Sequence, residues 1–456
     1  MYAGYGETIG EVERRGMSFD LPELPTGWEF AALETCAIPG SISYGVVQPG
    51  APVADGVAII RVNNFKGMRL DLSEVMRIGI GIEAKYGRTR LVGGEVLLTL
   101  VGSVGQVAVV PKVCAGFNVA RAVGVIRPAG EIDAQWIAIC LRAPLSQHLL
   151  ATRANTTVQT TINLKDVRAL PIPIPPRVER RQIAEFLSAL DDRIALLRET
   201  NATLEAIAQA LFKSWFVDFD PVRAKSQGLA PEGMDEATAA LFPDGFEESA
   251  LGLVPKGWRA AALCDAFEIN PLRSLKKGFA APYLDMASVA TSGHCVARPV
   301  QREFGSGTKF RNGDTLLARI TPCLENGKSA FVDFLAEGQV GWGSTEFIVL
   351  HPKAPLPEYL GYLLCRHAAF REYAIHSMSG TSGRQRVQND VLARYMLAIP
   401  VDAVTKAFTE VVAPVQRAIA ANHAQAQTLA TLRDTLLPRL ISGQLRLPEA
   451  EAVAAH

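Results

Sequence analysis

The sequence predicts a mixed α/β fold in two duplicated domains, each followed by a long helix, with the two helices pairing as an antiparallel coiled coil about an approximate twofold axis. Three observations predict it. A seven-residue apolar rhythm runs Ile183, Leu187, Leu190, Ile194, Leu197, Asn201, Leu204, Ala208, Leu211, Trp215, and returns 225 positions later as Phe408, Val412, Val415, Ile419, Asn422, Ala426, Leu429, Arg433, Leu436, Leu440. Steps of four and three keep one seam of each helix toward a partner. Turn and strand motifs recur at nearly the same offset, and short β-rich runs alternate with turns ahead of each helix.

The elements follow in chain order. Residues 1–24 form an acidic extension, and the first domain covers 25–174. It opens on Pro25-Thr26-Gly27-Trp28 and Ala31-Ala32-Leu33, a turn that delivers an aromatic ring to a core. The second domain, 255–400, opens the same way with Pro255-Lys256-Gly257-Trp258 and Ala260-Ala261-Ala262-Leu263. Strands are expected at 57–62, 96–101, 107–110 and 345–350. Gly94-Glu95-Val96-Leu97-Leu98 returns as Gly313-Asp314-Thr315-Leu316-Leu317, a Gly-acid turn that starts a strand. Pro128, Arg142 and Val167 each have an identical residue 224 positions on, at Pro352, Arg366 and Val391. Helix-length segments lie near 133–150 and 357–375.

Pro171, Pro173, Pro175 and Pro176 force an extended lead-in, because proline disfavours helix in the residue before it. The central helix then occupies 175–220, and a helix from 178 to 216 spans very roughly 55 Å. Asp218 to Asp220 and Pro221 end it, and a linker runs over 221–254. The C-terminal helix takes 401–447, with Asp402 as its cap and Gly443 as its stop, before a tail at 448–456. Pro414 stands where the first helix has Ala189, so a kink or a helix start is expected there. Asn201, Asn422 and Arg433 fall on the seam, where polar residues fix register. Paired long helices of this kind act as a ruler between two surfaces.

Composition sets bounds on the chemistry. Lys and Arg total 46 against 46 Asp and Glu, but the charge is unevenly placed. Residues 55–130 and 256–331 each come out at +5, whereas 1–34 and 218–250 come out at −5 and −6, so two matching blocks suit anionic contacts. Seven cysteines form no C-x-x-C pair, which argues against a zinc cluster or disulfide framework and fits a reduced cytosol. With no apolar leader and no stretch of membrane-spanning length, a cytoplasmic protein is expected. Catalytic motifs are missing as well. Ile174-Pro175-Pro176-Arg177 lacks the flanks of an adenine-methylation motif, and Gly79-Ile80-Gly81 has no third glycine in step. Gly327-Lys328-Ser329 would need a glycine at 322, where Pro322 has no amide for a phosphate. Gly102-Ser103-Val104-Gly105 is one residue short of a nucleophile elbow.

Several segments carry a family resemblance. Leu170-Pro171-Ile172-Pro173-Ile174-Pro175-Pro176, Gln182-Ile183-Ala184-Glu185-Phe186-Leu187, Leu190-Asp191-Asp192-Arg193-Ile194 and the run from Leu211-Phe212-Lys213-Ser214-Trp215-Phe216 to Asp220-Pro221-Val222 resemble the central region of specificity subunits of type I restriction-modification systems. Leu436-Leu437-Pro438-Arg439-Leu440-Ile441-Ser442-Gly443 resembles their C-terminal region, and the Pro-x-Gly-Trp openings resemble the start of their target-recognition domains. The resemblance covers 25–447 and leaves 1–24 unexplained. It implies a non-catalytic subunit that binds an asymmetric bipartite DNA target. It further implies partners in double-stranded DNA, two modification (methyltransferase) subunits and motor-nuclease restriction subunits. S-adenosylmethionine and ATP are then expected on the partner subunits only, with no cofactor, metal or membrane contact on this chain. The alternative from a different class is a stand-alone bipartite DNA-binding protein, a regulator or antirestriction decoy.

Reading DNA requires Arg or Lys for guanine, Asn or Gln for adenine, and further cations and hydroxyls for phosphates. In the first domain Arg61, Asn63, Asn64 and Lys66 form one cluster, Lys85, Arg88 and Arg90 beside Tyr86 form another, and Thr157 and Gln159 sit in a hydroxyl-rich loop. In the second, Asn270, Arg273, Lys276 and Lys277 cluster, supported by Arg302, Lys309 and Arg319, and Arg384 and Arg386 lie in a loop equivalent to the hydroxyl-rich one. The two sets differ from each other, so unlike half-sites and a non-palindromic target are expected.

Overall fold

The computed structural model describes residues 21–154, 160–381 and 383–454. The chain divides into two compact units, one of residues 1–193 and 428–456 and the other of residues 194–427. Each unit holds one mixed α/β domain together with one half of the central helix Arg177–Phe216 and the opposite half of the C-terminal helix Asp402–Ile441.

The duplication is visible strand by strand. In the first unit Glu29–Ala32 pairs antiparallel with Pro171–Ile174, and in the second Arg259–Ala262 pairs antiparallel with Met396–Ile399. Pro171 and Pro173 are accommodated because prolines at alternate positions can all turn their missing amides away from the partner strand. The proline lead-in is therefore a strand that closes its domain. A four-stranded antiparallel sheet follows in each unit: Ser43–Tyr44, Val123–Ile126, Val96–Thr99, Val107–Val109 in one, and Phe267–Ile269, Phe347–Pro352, Thr315–Ala318, Ser329–Phe331 in the other. A second sheet in each contains one parallel pair, Val57–Ile60 with Asn118–Val119 and Ala280–Leu284 with Gly341–Gly343. Trp136 and Tyr362, fully buried on equivalent helices Ala134–Arg142 and Leu360–Arg366, fill the two cores.

The helices pair antiparallel within each unit. In the first, Glu179 meets Arg446 and Asp191 meets Arg433; in the second, Asn201 meets Asn422 and Trp215 meets Phe408. All twenty positions of the apolar rhythm are buried or half-buried, as a seam requires. Its polar members are paired: Asn201 Nδ2 donates to the Ile419 carbonyl at 2.9 Å, Asn422 Nδ2 donates to Asn201 Oδ1 at 2.9 Å, and Arg433 reaches Asp191 at 2.9 Å. The second unit's helix end is sealed by aromatic rings, with Phe216 and Phe408 at 4.6 Å between centroids and Trp215 and Phe242 at 5.0 Å.

Three local expectations meet the structure differently. The C-terminal helix runs from Asp402 to Ile441 through Pro414 without a break or a new start. Pro414 and Glu410 are both exposed, so water can take the carbonyl that the missing amide leaves free. Gly443 does stop that helix, in a left-handed conformation of φ 70°, with its amide on the Leu440 carbonyl. The linker and tail are not featureless. The linker 221–254 carries nearly all of a hairpin of Phe246–Ser249 with Gly252–Pro255, and Leu447–Ala454 is a short helix that buries Ala450.

Candidate nucleic-acid interface

In the first unit the cluster at 61–66 is organised by a buried amide. Asn64 accepts the Arg61 amide proton at 2.9 Å and donates to the carbonyls of Asp71 and Glu74 at 3.1 and 3.0 Å. It is a loop pin, which corrects its assignment as a DNA contact: a buried side chain with its bonds already made has nothing to offer a base. Asn63 and Lys66 stand exposed on the loop it holds, and Arg61 is half-buried.

The second cluster repeats this division. Buried Glu83 takes both arms of Arg90, at 2.9 and 2.5 Å, and accepts from Asn118 at 3.0 Å. The Arg90 hydrogen bond holds the Glu83 carboxyl below its usual range, against the opposing effect of burial. Arg127 donates to the carbonyls of Arg88 and Arg90, each at 2.7 Å, and lies 3.7 Å from buried Glu95. Arg90 is therefore a brace, while Lys85 and Arg88 remain exposed. Thr157 and Gln159 lie outside the described residues.

The second unit uses the same economy with different residues. Asn270 sits at φ 51° and accepts the Val349 amide proton on its side-chain oxygen at 2.8 Å. Arg273, its side chain only 9% exposed, bonds fully buried Asp314 at 2.9 Å, and His351 Nδ1 lies 2.9 Å from the same oxygen. Arg319 donates to the Val387 carbonyl at 2.9 Å, and Arg386 grips Glu346 with bonds of 2.6 to 3.0 Å. Arg273 is an internal strut, which corrects its reading as a direct contact, while half-buried Asn270, Arg319 and Arg386 brace the loops that carry them. Lys276, Lys277 and Arg384 are exposed. Arg302 lies over the Tyr283 and Trp342 rings at 4.8 and 5.9 Å, and half-buried Lys309 over Phe304 at 4.8 Å.

Equivalent positions do equivalent work. Glu95 and Asp314 precede matching strands, each buried, each facing a basic side chain on or at the end of the neighbouring strand, Arg127 or His351, and those two residues are 224 positions apart. The bridges Val101 with Thr161 and Ile320 with Arg386 put Thr161 and Arg386 at equivalent positions in the topology. Sequence reading missed the aromatic platform of Tyr283, Phe304 and Trp342. Arg302 and Lys309 flank Phe304 in sequence, which was a signal, but Tyr283 and Trp342 come from distant strands. Among the described residues no group of three His, Cys, Asp or Glu could hold a metal, and no helix is long and apolar enough to cross a membrane.

Two copies of one mixed α/β domain, each docked on an antiparallel helix pair and each presenting cations on pinned loops, define a duplicated recognition scaffold. Residues 57–206 match the family described as the type I restriction modification DNA specificity domain. The chain is 32% identical over 179 residues to the Escherichia coli type I restriction enzyme EcoBI specificity subunit, covering 37% of this chain and 38% of that one. It is 48% identical over 90 residues to the Haemophilus influenzae HindI specificity subunit, covering 20% of this chain and 19% of that one. A longer match, 23% identical over 379 residues and 78% of each chain, is to the Methanocaldococcus jannaschii MjaIX specificity subunit. In fold the chain resembles the crystal structure of a type I restriction-modification S subunit from M. genitalium, with a TM-score of 0.53 at 14% identity over 93% of this chain and 98% of that one. Residues 57–206 thus carry a match to the type I restriction modification DNA specificity domain, and the chain is similar along most of its length to type I restriction enzyme specificity subunits. Its matches to the E. coli and H. influenzae relatives span well under half of either.

Proposed function

We propose that this chain is the DNA specificity subunit of a type I restriction-modification complex, reading an asymmetric bipartite duplex with one half-site per recognition domain. One observation carries the reading: the two domains share a topology and a buried-acid anchor, yet the side chains they leave exposed differ. A common scaffold with unlike surfaces suits two unlike half-sites. The exposed set, Asn63, Lys66, Lys85 and Arg88 in the first domain and Lys276, Lys277, Arg302 and Arg384 in the second, together with half-buried Lys309, would supply phosphate and base contacts. Arg61, Asn64, Arg90, Asn270, Arg273, Arg319 and Arg386 would shape the loops behind them.

In this reading the chain is non-catalytic and works in the cytoplasm. Two modification subunits would bring S-adenosylmethionine and methylate adenine, and restriction subunits would bring ATP and the nuclease. The test is methylome mapping of the source strain with and without this chain. Loss of one non-palindromic, two-part methylated motif on deletion, restored by the wild-type chain, is expected. An unchanged methylome would overturn the reading.

A further inference from the structure

The loop at 270–279 in the second unit is fixed at three points. Asn270 locks it to Val349, Arg273 ties it to the buried Asp314 carboxylate, and Gly278, in the left-handed region at φ 80°, donates its amide to the Phe304 carbonyl at 2.8 Å while Phe304 donates back to Phe279 at 2.8 Å. Within this loop Leu275 packs on the cluster of Ala281, Phe304 and Trp342, whereas Leu272 is 100% exposed, with Phe279, 64% exposed, just past the last pin and exposed Lys276 and Lys277 between them. Neither lysine has a carboxylate partner among the described residues. A lone exposed leucine needs no explanation. A leucine wholly in water on a loop anchored through a buried ion pair is different, because the anchor prevents it from folding back onto the domain.

An immobilised apolar tip within reach of two unpaired cations matches a surface that is anionic overall and apolar in spots. The DNA major groove is such a surface, since the thymine methyl group projects into it between two rows of phosphates. Four residues of extended chain reach about 14 Å, comparable with the groove width of about 12 Å. We propose that Leu272 is a specificity-determining residue that packs on a thymine methyl in the second domain's half-site, with Lys276 and Lys277 on flanking phosphates. Arg273 is then a positioning residue that acts through the loop. This rests on the proposed function and adds to it the kind of base that one loop reads.

The experiment is methylome mapping in the source strain, with this chain replaced by variants in the intact complex. Leu272→Ala should relax one T·A position in one half-site by roughly 4-fold or more, the worth of one buried methyl group, and leave the other half-site unchanged. Leu272→Met, close in volume, should restore the preference. Lys276→Ala with Lys277→Ala should lower methylation at all sites alike without altering the motif. Arg273→Ala should blur the position that Leu272→Ala blurs, an effect that general destabilisation would not confine to one base pair. A Leu272→Ala motif identical to wild type, or one weakened equally at every position, would overturn the inference while leaving the specificity-subunit reading intact. If deleting the chain changes no methylated motif, the reading fails first and the inference goes with it.

Discussion

Replacing the seam asparagines tests whether the helix pair is registered by a polar contact. Asn201 makes two hydrogen bonds across the seam, to the Ile419 carbonyl and from the Asn422 amide, both at 2.9 Å. In Asn201→Ala both disappear and the half-buried Asn422 amide loses its acceptor, a cost of about 1–3 kcal/mol. Alanine's better helix propensity returns about 0.5 kcal/mol, so the net loss should be about 1–2 kcal/mol. Asn422→Ala removes one bond, orphans one oxygen and should cost about 1 kcal/mol or less. Replacing both by leucine leaves no unpaired polar group on an otherwise apolar seam, so Asn201→Leu with Asn422→Leu should be neutral or stabilising. Urea unfolding of the full chain, followed by tryptophan fluorescence because Trp215 and Trp258 lie in the adjoining core, supplies the numbers. The cycle built from the two alanine singles and their double should show coupling of about 0.5–2 kcal/mol. Additive losses, or a double-leucine variant less stable than either alanine single, would show that the asparagines are incidental to the pairing.

Three further outcomes follow from particular contacts. Gly443→Ala should destabilise the first unit by more than the roughly 1 kcal/mol of a left-handed non-glycine residue, since its Cβ would stand 2.2 Å from Pro25 Cγ, and thermal melting checks it. Burial depresses the affinity of His423 for protons, against the pull of its bond to the Val296 carbonyl, so its folded pKa lies below the ordinary 6.5. The unfolded state then binds more protons, stability falls as the pH drops below about 6.5, and His423→Gln should flatten that part of the urea midpoint against pH. In the proposed complex with modification subunits, Lys276→Ala with Lys277→Ala should reduce the log-log salt slope of DNA affinity by about 1.8 if both lysines neutralise phosphates; an unchanged slope would remove them from the interface.

The duplication, the two long helices and the polar seam were legible in the sequence because each depends on local period: a heptad keeps its seam wherever the helix goes, and a Pro-x-Gly-Trp turn is the same turn twice. Pro414 was misread for the converse reason. Its cost depends on whether the orphaned carbonyl meets water, which exposure decides and spacing does not. The basic clusters were legible as clusters, and the first domain's brace was within local reach, since Glu83 and Arg90 are 7 residues apart. Arg273 with Asp314, 41 residues apart, and Arg386 with Glu346, 40 apart, were not. A sequence by itself determined which surfaces of this protein carry cations. Only the tertiary structure decided which of those cations are already spent, because a charge is neutralised by whatever carboxylate the fold brings within about 4 Å, and that neighbour is chosen by strand pairing rather than by chain order.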